Sequence, residues 1–237
     1  MQNIAELIDL TLLDAEATAN DIEILATKGM RSHVAALCIL PLHLDLIPET
    51  CTLPRATVVN FATGNEPHAQ VIQAIEQIAT QHQINEIDYV FPYQAYLAGD
   101  TASALSRSAE AYQLCKQHGL LFKVILETGA LPSSDVIYAM SLDVIDSGCD
   151  FIKTSTGKMA IGATIPAATA MLSAILDSKT ACGIKLSGGV RTIEQAQAYI
   201  HLAEDMMGKK VDRRWFRIGA SGLLDLLIHQ FPNNILI

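Results

Sequence analysis

The sequence contains few cysteines, and they lack the spacings typical of metal ligands or a disulfide framework. The five cysteines are scattered and include no C-x-x-C motif: Cys38, Cys51, Cys115, Cys149 and Cys182. A disulfide-stapled fold and a zinc ribbon are therefore not expected. The seven histidines form no H-E-x-x-H motif and no close pair with ligand spacing, so no metal is predicted. Reduced thiols fit a cytoplasmic protein best.

Long apolar runs and an excess of positive charge are also missing. No apolar run reaches the roughly 18 residues that a membrane span needs. Residues 1–10 lack a basic region followed by an apolar one, so a signal peptide is not expected. The formal net charge of -9 argues against nucleic-acid partners and anionic membranes. A small phosphorylated ligand remains compatible, because a few backbone N–H groups can bind one phosphate.

The chain is rich in apolar residues, and short apolar segments recur along it. Apolar residues make up 50% of the 237 residues and charged residues only 17%, which predicts a large core. The segments are rich in Val, Ile and Phe and alternate little, which is typical of strands buried on both faces of a parallel sheet. The predicted strands are 33–40, 56–61, 86–91, 121–127, 150–154, 183–186 and 215–219. The predicted helices are 66–81, 102–118, 134–147, 165–179 and 192–207.

Alternating strands and helices predict βαβ units with right-handed crossovers. Seven strands are clear, and an eighth is expected near residues 199–203, where the pattern does not separate strand from helix. Seven or eight units without a visible linker favour one α/β domain, a TIM (β/α)8 barrel over residues 1–237. An open doubly wound sheet is the alternative. It would normally carry a G-x-G-x-x-G motif in its first turn, and this sequence has none.

Charged residues interrupt several of these buried strands. A charge inside a parallel strand is costly unless it is paired or functional. Several such charges on neighbouring strands favour a barrel mouth built for chemistry over a purely structural network. The residues are Asp88, Lys123, Glu127, Lys153 and Lys185.

Lys153 and Lys185 lie on consecutive predicted strands, so their amines could meet inside the barrel. A lysine beside a second cation in a dry pocket loses its proton more easily, and the neutral amine can form a Schiff base with a carbonyl. Such an imine accepts electrons during carbon–carbon cleavage. The alternative is that each lysine pairs separately with Asp88 or Glu127.

Glycine-rich turns follow three of the strands, in the segments FIKTSTGK, LSGGVRT and RIGASGLL. Glycines let backbone N–H groups approach an anion, and TIM barrels often bind phosphate through their last loops. Each turn alone is a weak signal, and TSTGK is not a P-loop because no glycine stands five residues before Gly157. Together the three turns predict a phosphate site.

Six of the sequence motifs together resemble a known family. FIKTSTGK, GIKLSGGVRT, EIDYVFPY, FKVILETG and RIGASGLL, with IDLTLLDAEAT near the start, are similar to deoxyribose-phosphate aldolase from about Ile8 to Leu227. The resemblance implies a TIM barrel, a class I aldolase mechanism, and no metal or organic cofactor. It also implies a homo-oligomer, a dimer or a higher assembly. Some family members end in a tyrosine that assists proton transfer, whereas this chain ends FPNNILI.

The resemblance assigns roles to individual positions. Lys153 corresponds to the Schiff-base lysine, Lys185 to the lysine that lowers its pKa, and Asp88 to the carboxylate that relays protons, through a water. Asp9 corresponds to a residue that contacts the substrate hydroxyl, and Cys38 to a pocket-facing cysteine. The other implied substrate-binding positions, most of them in the phosphate loops, are Thr154, Gly157, Gly188, Gly189, Gly219, Ala220 and Ser221.

The implied reaction is the reversible cleavage of 2-deoxy-D-ribose 5-phosphate to D-glyceraldehyde 3-phosphate and acetaldehyde, a step in deoxyribose phosphate catabolism. One alternative is another Schiff-base aldolase for a different phosphosugar, which would need other hydroxyl-binding groups at Asp9 and Cys38. A second alternative is a non-catalytic phosphosugar-binding TIM barrel. Such a protein would usually have lost the lysine or the acid, and Lys153 and Asp88 are both present.

Overall fold

The computed structural model describes residues 4–230. Eight parallel strands pair in chain order, and the last pairs with the first, so the sheet closes into a barrel. The predicted TIM barrel is therefore confirmed. The strands are β1 (Ile8–Leu12), β2 (Ala36–Ile39), β3 (Arg55–Val59), β4 (Glu86–Val90), β5 (Leu121–Ile125), β6 (Phe151–Lys153), β7 (Gly183–Ser187) and β8 (Phe216–Ala220).

Helices connect the strands and surround the barrel. The crossover from β2 to β3 differs from the others, because its helix is a short 3-10 helix, Pro41–Leu46. Among residues 4–230, no helix is both long enough and apolar enough to cross a membrane. The α-helices are α1 (Ala19–Arg31), α2 (His68–Gln81), α3 (Tyr93–Leu97), α4 (Thr101–Gln117), α5 (Ser134–Ser147), α6 (Ile165–Ser178), α7 (Ile193–Met207) and α8 (Leu223–Gln230).

The predicted position of the eighth strand is wrong. Residues 199–203 lie inside α7, which begins with a capping box between Thr192 and Gln195 and buries an apolar face against the barrel. The missing strand is β1, at the opposite end of the chain, and it pairs with both β2 and β8. Its sequence IDLTL is short and contains a charge, so it does not show the continuous apolar pattern of a buried strand.

The barrel interior is divided between small apolar side chains and long charged ones. On β2 and β3 a separate buried cluster consists of Ala36, Cys38, Ala56 and Val58. Each of the other six strands carries a charged side chain at most 5% exposed, and on β6 this is the last residue, Lys153. Because small side chains fill one side of the barrel, long lysine and arginine side chains can be packed on the other.

Candidate active site

Lys153 and Lys185 are direct neighbours across the β6–β7 pair, where they are register partners. The Nζ atoms of Lys153 and Lys185 donate to the same oxygen, Oδ2 of Asp88, at 2.8 and 2.7 Å. Separate pairing of the two lysines with Asp88 and Glu127 is therefore not what the structure shows. Glu127 instead accepts hydrogen bonds from the backbone N–H and the hydroxyl of Thr156.

The two amines have opposite pKa shifts despite sharing a carboxylate. Burial lowers the pKa of Lys153, and the charge of Lys185 adds to this, so that the attraction of Asp88 does not restore the usual value. Burial alone would also lower the pKa of Lys185, but Asp88 and Asp9 outweigh it and hold that pKa well above the usual range. Lys153 is therefore the amine that loses its proton more easily.

Asp9 lies in the barrel interior and is fully buried. Its Oδ2 is 2.6 Å from Nζ of Lys185, and its Oδ1 accepts from Nη1 of Arg217 at 2.6 Å. Burial would raise the pKa of Asp9, but these two cations and Lys123 outweigh that effect and lower it. Asp9 does not line the cavity described below, so its contact with a substrate hydroxyl stays a prediction.

Glu86 and Arg217 also belong to this cluster, and neither was predicted from the sequence. Oε2 of Glu86 accepts a hydrogen bond from Nζ of Lys123 at 2.5 Å, and Oε1 of Glu86 is 3.4 Å from Nη2 of Arg217. Lys123 also donates to Oδ1 of Asp88 at 2.8 Å. The available signals were the position of Glu86 two residues before Asp88, on the same face of β4, and an arginine at the centre of the apolar strand WFRIG.

A cavity of about 730 Å³ opens beside the ends of β6, β7 and β8. It contains Lys153 and every predicted phosphate-loop residue. It also contains two cations that the sequence analysis missed although they lie in its motifs, Lys158 of TSTGK and Arg191 of GGVRT. The predicted residues that line it are Lys153, Gly157, Gly188, Gly189, Gly219, Ala220 and Ser221.

The loop after β7 depends on a close backbone approach at Gly188. This residue has φ +81°, and a Cβ there would lie 2.9 Å from the Cα of Gly162. The preceding Ser187 donates its hydroxyl to the carbonyl oxygen of Ser155, so the loops after β6 and β7 are joined. Only glycine combines this backbone conformation with the available space.

Thr154 and Cys38 are predicted substrate contacts that do not line the cavity. The hydroxyl of Thr154 donates to the carbonyl oxygen of Ser187 and accepts from its N–H, both at 2.9 Å, which joins β6 to β7. Cys38 is fully buried in the interior, and burial raises the pKa of its thiol. Their contacts with substrate stay predictions. Residues 231–237, which include the tail FPNNILI, lie outside the described residues.

Within residues 4–230, no group of three or more His, Cys, Asp and Glu side chains is arranged to hold a metal ion. The site that the structure does assemble consists of an amine of lowered pKa, a carboxylate in contact with it, a second ammonium group, and a glycine-rich cavity with two cations. Such a site can form an imine with a carbonyl compound and bind an anionic group beside it.

The known proteins that this chain is similar to are aldolases. A curated protein of Agrobacterium fabrum named deoxyribose-phosphate aldolase is 41% identical over 233 residues, covering 92% of this chain and 86% of that protein. Two solved structures support the fold. The tetrameric deoxyribose phosphate aldolase from Aeropyrum pernix has a TM-score of 0.79 at 22% identity, over 98% of this chain and 92% of that one. An aldolase called QR15 has a TM-score of 0.84 at 22% identity, and the match covers 98% of this chain and 99% of QR15.

The family model of DeoC/LacD aldolases matches residues 5–226, and these residues include all eight strands and the whole cavity lining. This chain belongs to the DeoC/LacD family of aldolases.

Proposed function

We propose that the protein cleaves 2-deoxy-D-ribose 5-phosphate reversibly to D-glyceraldehyde 3-phosphate and acetaldehyde, through a Schiff base on Lys153. One observation carries the proposal: among the buried lysines of residues 4–230, Lys153 alone lines the cavity, and its pKa is lowered while it contacts Asp88. The name of the Agrobacterium relative supports the choice of substrate. A cytoplasmic location, a homo-oligomer and a role in deoxyribose phosphate catabolism belong to the same proposal.

The first step is attack by the neutral Nζ of Lys153 on the aldehyde carbon of the open-chain sugar. The nitrogen forms a bond to that carbon, and the carbonyl oxygen leaves as water after proton transfers, giving an iminium ion. Asp88 contacts Nζ of Lys153 directly, so its carboxylate can take the protons released by the amine. Lys185 stays charged, and its positive charge favours the neutral form of Lys153 before the attack.

The second step breaks the bond between carbons 2 and 3. Removal of the proton on the hydroxyl of carbon 3 releases glyceraldehyde 3-phosphate, and the bonding electrons move into the iminium to give an enamine. Protonation of the enamine carbon and hydrolysis then release acetaldehyde and restore the amine. We assign the proton transfers to Asp88, acting through water, because it is the carboxylate nearest to the amine that the structure describes.

The phosphate is assigned to the loops after β6, β7 and β8. Gly157, Gly188 and Gly189 line the cavity and have positive φ, a backbone conformation found in loops that bind anions through their N–H groups. Lys158 and Arg191 add positive charge to the same lining. Since the cavity joins these loops to Lys153, one phosphosugar can reach both parts of the site.

The proposal is tested by measuring acetaldehyde released from 2-deoxyribose 5-phosphate, with ketose phosphates as competing candidates. Acetaldehyde release from the deoxy sugar is the expected result. Cleavage of a ketose phosphate without cleavage of the deoxy sugar would instead favour an aldolase for another phosphosugar. Tight binding of phosphosugars without turnover would favour a binding protein.

Replacement of Lys185 by leucine is expected to move the pH profile of kcat/KM upward by about 1 pH unit. The neutral amine is the nucleophile, so activity rises with pH through the pKa of Lys153. Without the ammonium group of Lys185, Asp88 and Asp9 stabilise the charged form of Lys153 more strongly, and its pKa rises. An unchanged profile would mean that the two amines do not interact.

Replacement of Gly188 by alanine is expected to raise KM for 2-deoxyribose 5-phosphate by about tenfold, because the loop must move to accept the new Cβ. KM for unphosphorylated 2-deoxyribose should change much less. Gly208→Ala is the matched control, since Gly208 also has positive φ but ends α7 away from the cavity. Equal changes in KM for both sugars would contradict the assignment of this loop to the phosphate.

A further inference from the structure

The charged side chains inside the barrel form a closed ring of ion pairs. Each cation in it lies between two carboxylates, and Lys123 is in addition 3.7 Å from Oδ2 of Asp9, across the ring. Starting from Asp88, the order is Lys185, Asp9, Arg217, Glu86, Lys123 and back to Asp88. We call these six residues the charge ring. Five strands supply them, β1, β4, β5, β7 and β8.

The charge ring is electrically complete without Lys153. Three carboxylates balance three cations, and all six side chains are at most 6% exposed. Lys153 contacts this ring at one point, Oδ2 of Asp88, which Lys185 already occupies at 2.7 Å. A protonated Lys153 is therefore a fourth cation beside three carboxylates, and a buried charge without its own partner is costly.

We propose that Glu86, Arg217 and Lys123 are positioning residues whose ion pairs complete the charge ring and so make Lys153 the amine that gives up its proton. None of the three lines the cavity, so they act through Asp88, Asp9 and Lys185 rather than on the substrate. Arg217 donates a hydrogen bond to Oδ1 of Asp9, and Lys123 donates one to Oδ1 of Asp88. Each of these contacts reduces the negative charge available to Lys153.

The other titratable groups near Lys153 lie outside the charge ring. Cys38 faces it from β2, and burial raises the pKa of that thiol, which keeps it neutral near pH 7. Glu127 follows β5, accepts from Thr156, and forms no ion pair with Lys153 in the part of the chain that the structure describes. Strand β3 turns apolar Ala56 and Val58 inward. Cys38 and Glu127 stay unchanged in the variants below, so they do not affect the comparison.

The sign of the charge that is removed provides the test. Loss of a ring cation, in Arg217→Met or Lys123→Met, leaves a carboxylate free to stabilise protonated Lys153. Imine formation should then require a pH about one unit higher. Loss of a ring carboxylate, in Glu86→Gln, leaves an excess cation, and imine formation should then proceed at a pH about one unit lower. A residue that only supports the fold would not move the profile in opposite directions according to its charge.

The readout is the rate at which acetaldehyde and cyanoborohydride modify Lys153, measured against pH by peptide mass. Arg214→Met and Glu76→Gln are the matched controls. They change the net charge by the same amounts at exposed pairs, with Asp212 and His118, and their profiles should coincide with that of the unaltered protein.

A single unpaired buried charge can prevent folding, so the double variant Glu86→Gln with Arg217→Met is included. It removes one charge of each sign and leaves the interior balanced, and its profile should return to that of the unaltered protein. Folded single variants whose profiles stay together would overturn the inference. A double variant whose pH profile lies a full pH unit away from that of the unaltered protein would also overturn it. The inference rests on the proposed Schiff base. If the unaltered protein forms no adduct, the proposed function is refuted. If the adduct forms normally and the pH profiles of the variants coincide, only the role of the charge ring is refuted.

Discussion

Replacement of Lys153 by leucine is expected to lower kcat/KM for 2-deoxyribose 5-phosphate by about 10⁴-fold or more, because no other described lysine combines a lowered pKa with a place in the cavity. The protein should remain folded. Leucine keeps part of the apolar stem, and the change removes the one interior cation that the charge ring leaves unbalanced. Steady-state kinetics and circular dichroism measure the two parts of this result.

Lys210→Leu is the control for this variant. Lys210 is 86% exposed and pairs only with Glu204 among the described ion pairs, so its loss should leave kcat/KM unchanged. Near-normal turnover of the Lys153 variant would show that the Schiff base forms elsewhere or not at all. An unfolded Lys153 variant would mean that the lysine is needed for the fold.

Replacement of Asp88 by asparagine should reduce both activity and stability. Its carboxylate contacts the Nζ atoms of three lysines, two through Oδ2 and one through Oδ1, and it is fully buried. Loss of its proton transfers should lower kcat by about 10³-fold. Loss of its charge leaves buried ammonium groups short of a partner, which should cost about 3 kcal/mol of unfolding free energy.

Kinetics and urea unfolding at neutral pH test these two effects together. Asp45→Asn is a suitable comparison, because Asp45 is 80% exposed and pairs only with His82 among the described contacts. A stable Asp88→Asn variant with low activity would mean that the carboxylate serves catalysis alone. A destabilised variant with normal kcat would remove Asp88 from the mechanism.

The sequence was sufficient to predict the barrel and the central pair of lysines. Buried parallel strands follow each other in a barrel, so two lysines on consecutive strands, Lys153 and Lys185, had to be neighbours. The glycine-rich turns all follow strands, and the carboxyl ends of parallel strands share one mouth. That reasoning placed Gly157, Gly188 and Gly219 in one cavity.

The partners of those lysines could not be predicted in the same way. Arg217 and Asp9 are 208 residues apart, and they meet only because β8 closes on β1. The eighth strand was expected at residues 199–203, inside what is α7, so the contact between β8 and β1 was not predicted. Glu86 sits at the start of β4, where a charged residue resembles an ordinary strand boundary. Its contact with Lys123 depends on the register between β4 and β5.

Trapping of the imine on Lys153 distinguishes a Schiff-base aldolase from any other use of this cavity. The unaltered protein is incubated with acetaldehyde, reduced with borohydride, digested, and searched by mass for the modified peptide. An ethyl group on Lys153 is the predicted result and would establish Schiff-base chemistry at the cavity. No adduct, or an adduct on Lys185, Lys123 or a surface lysine, would contradict the assignment.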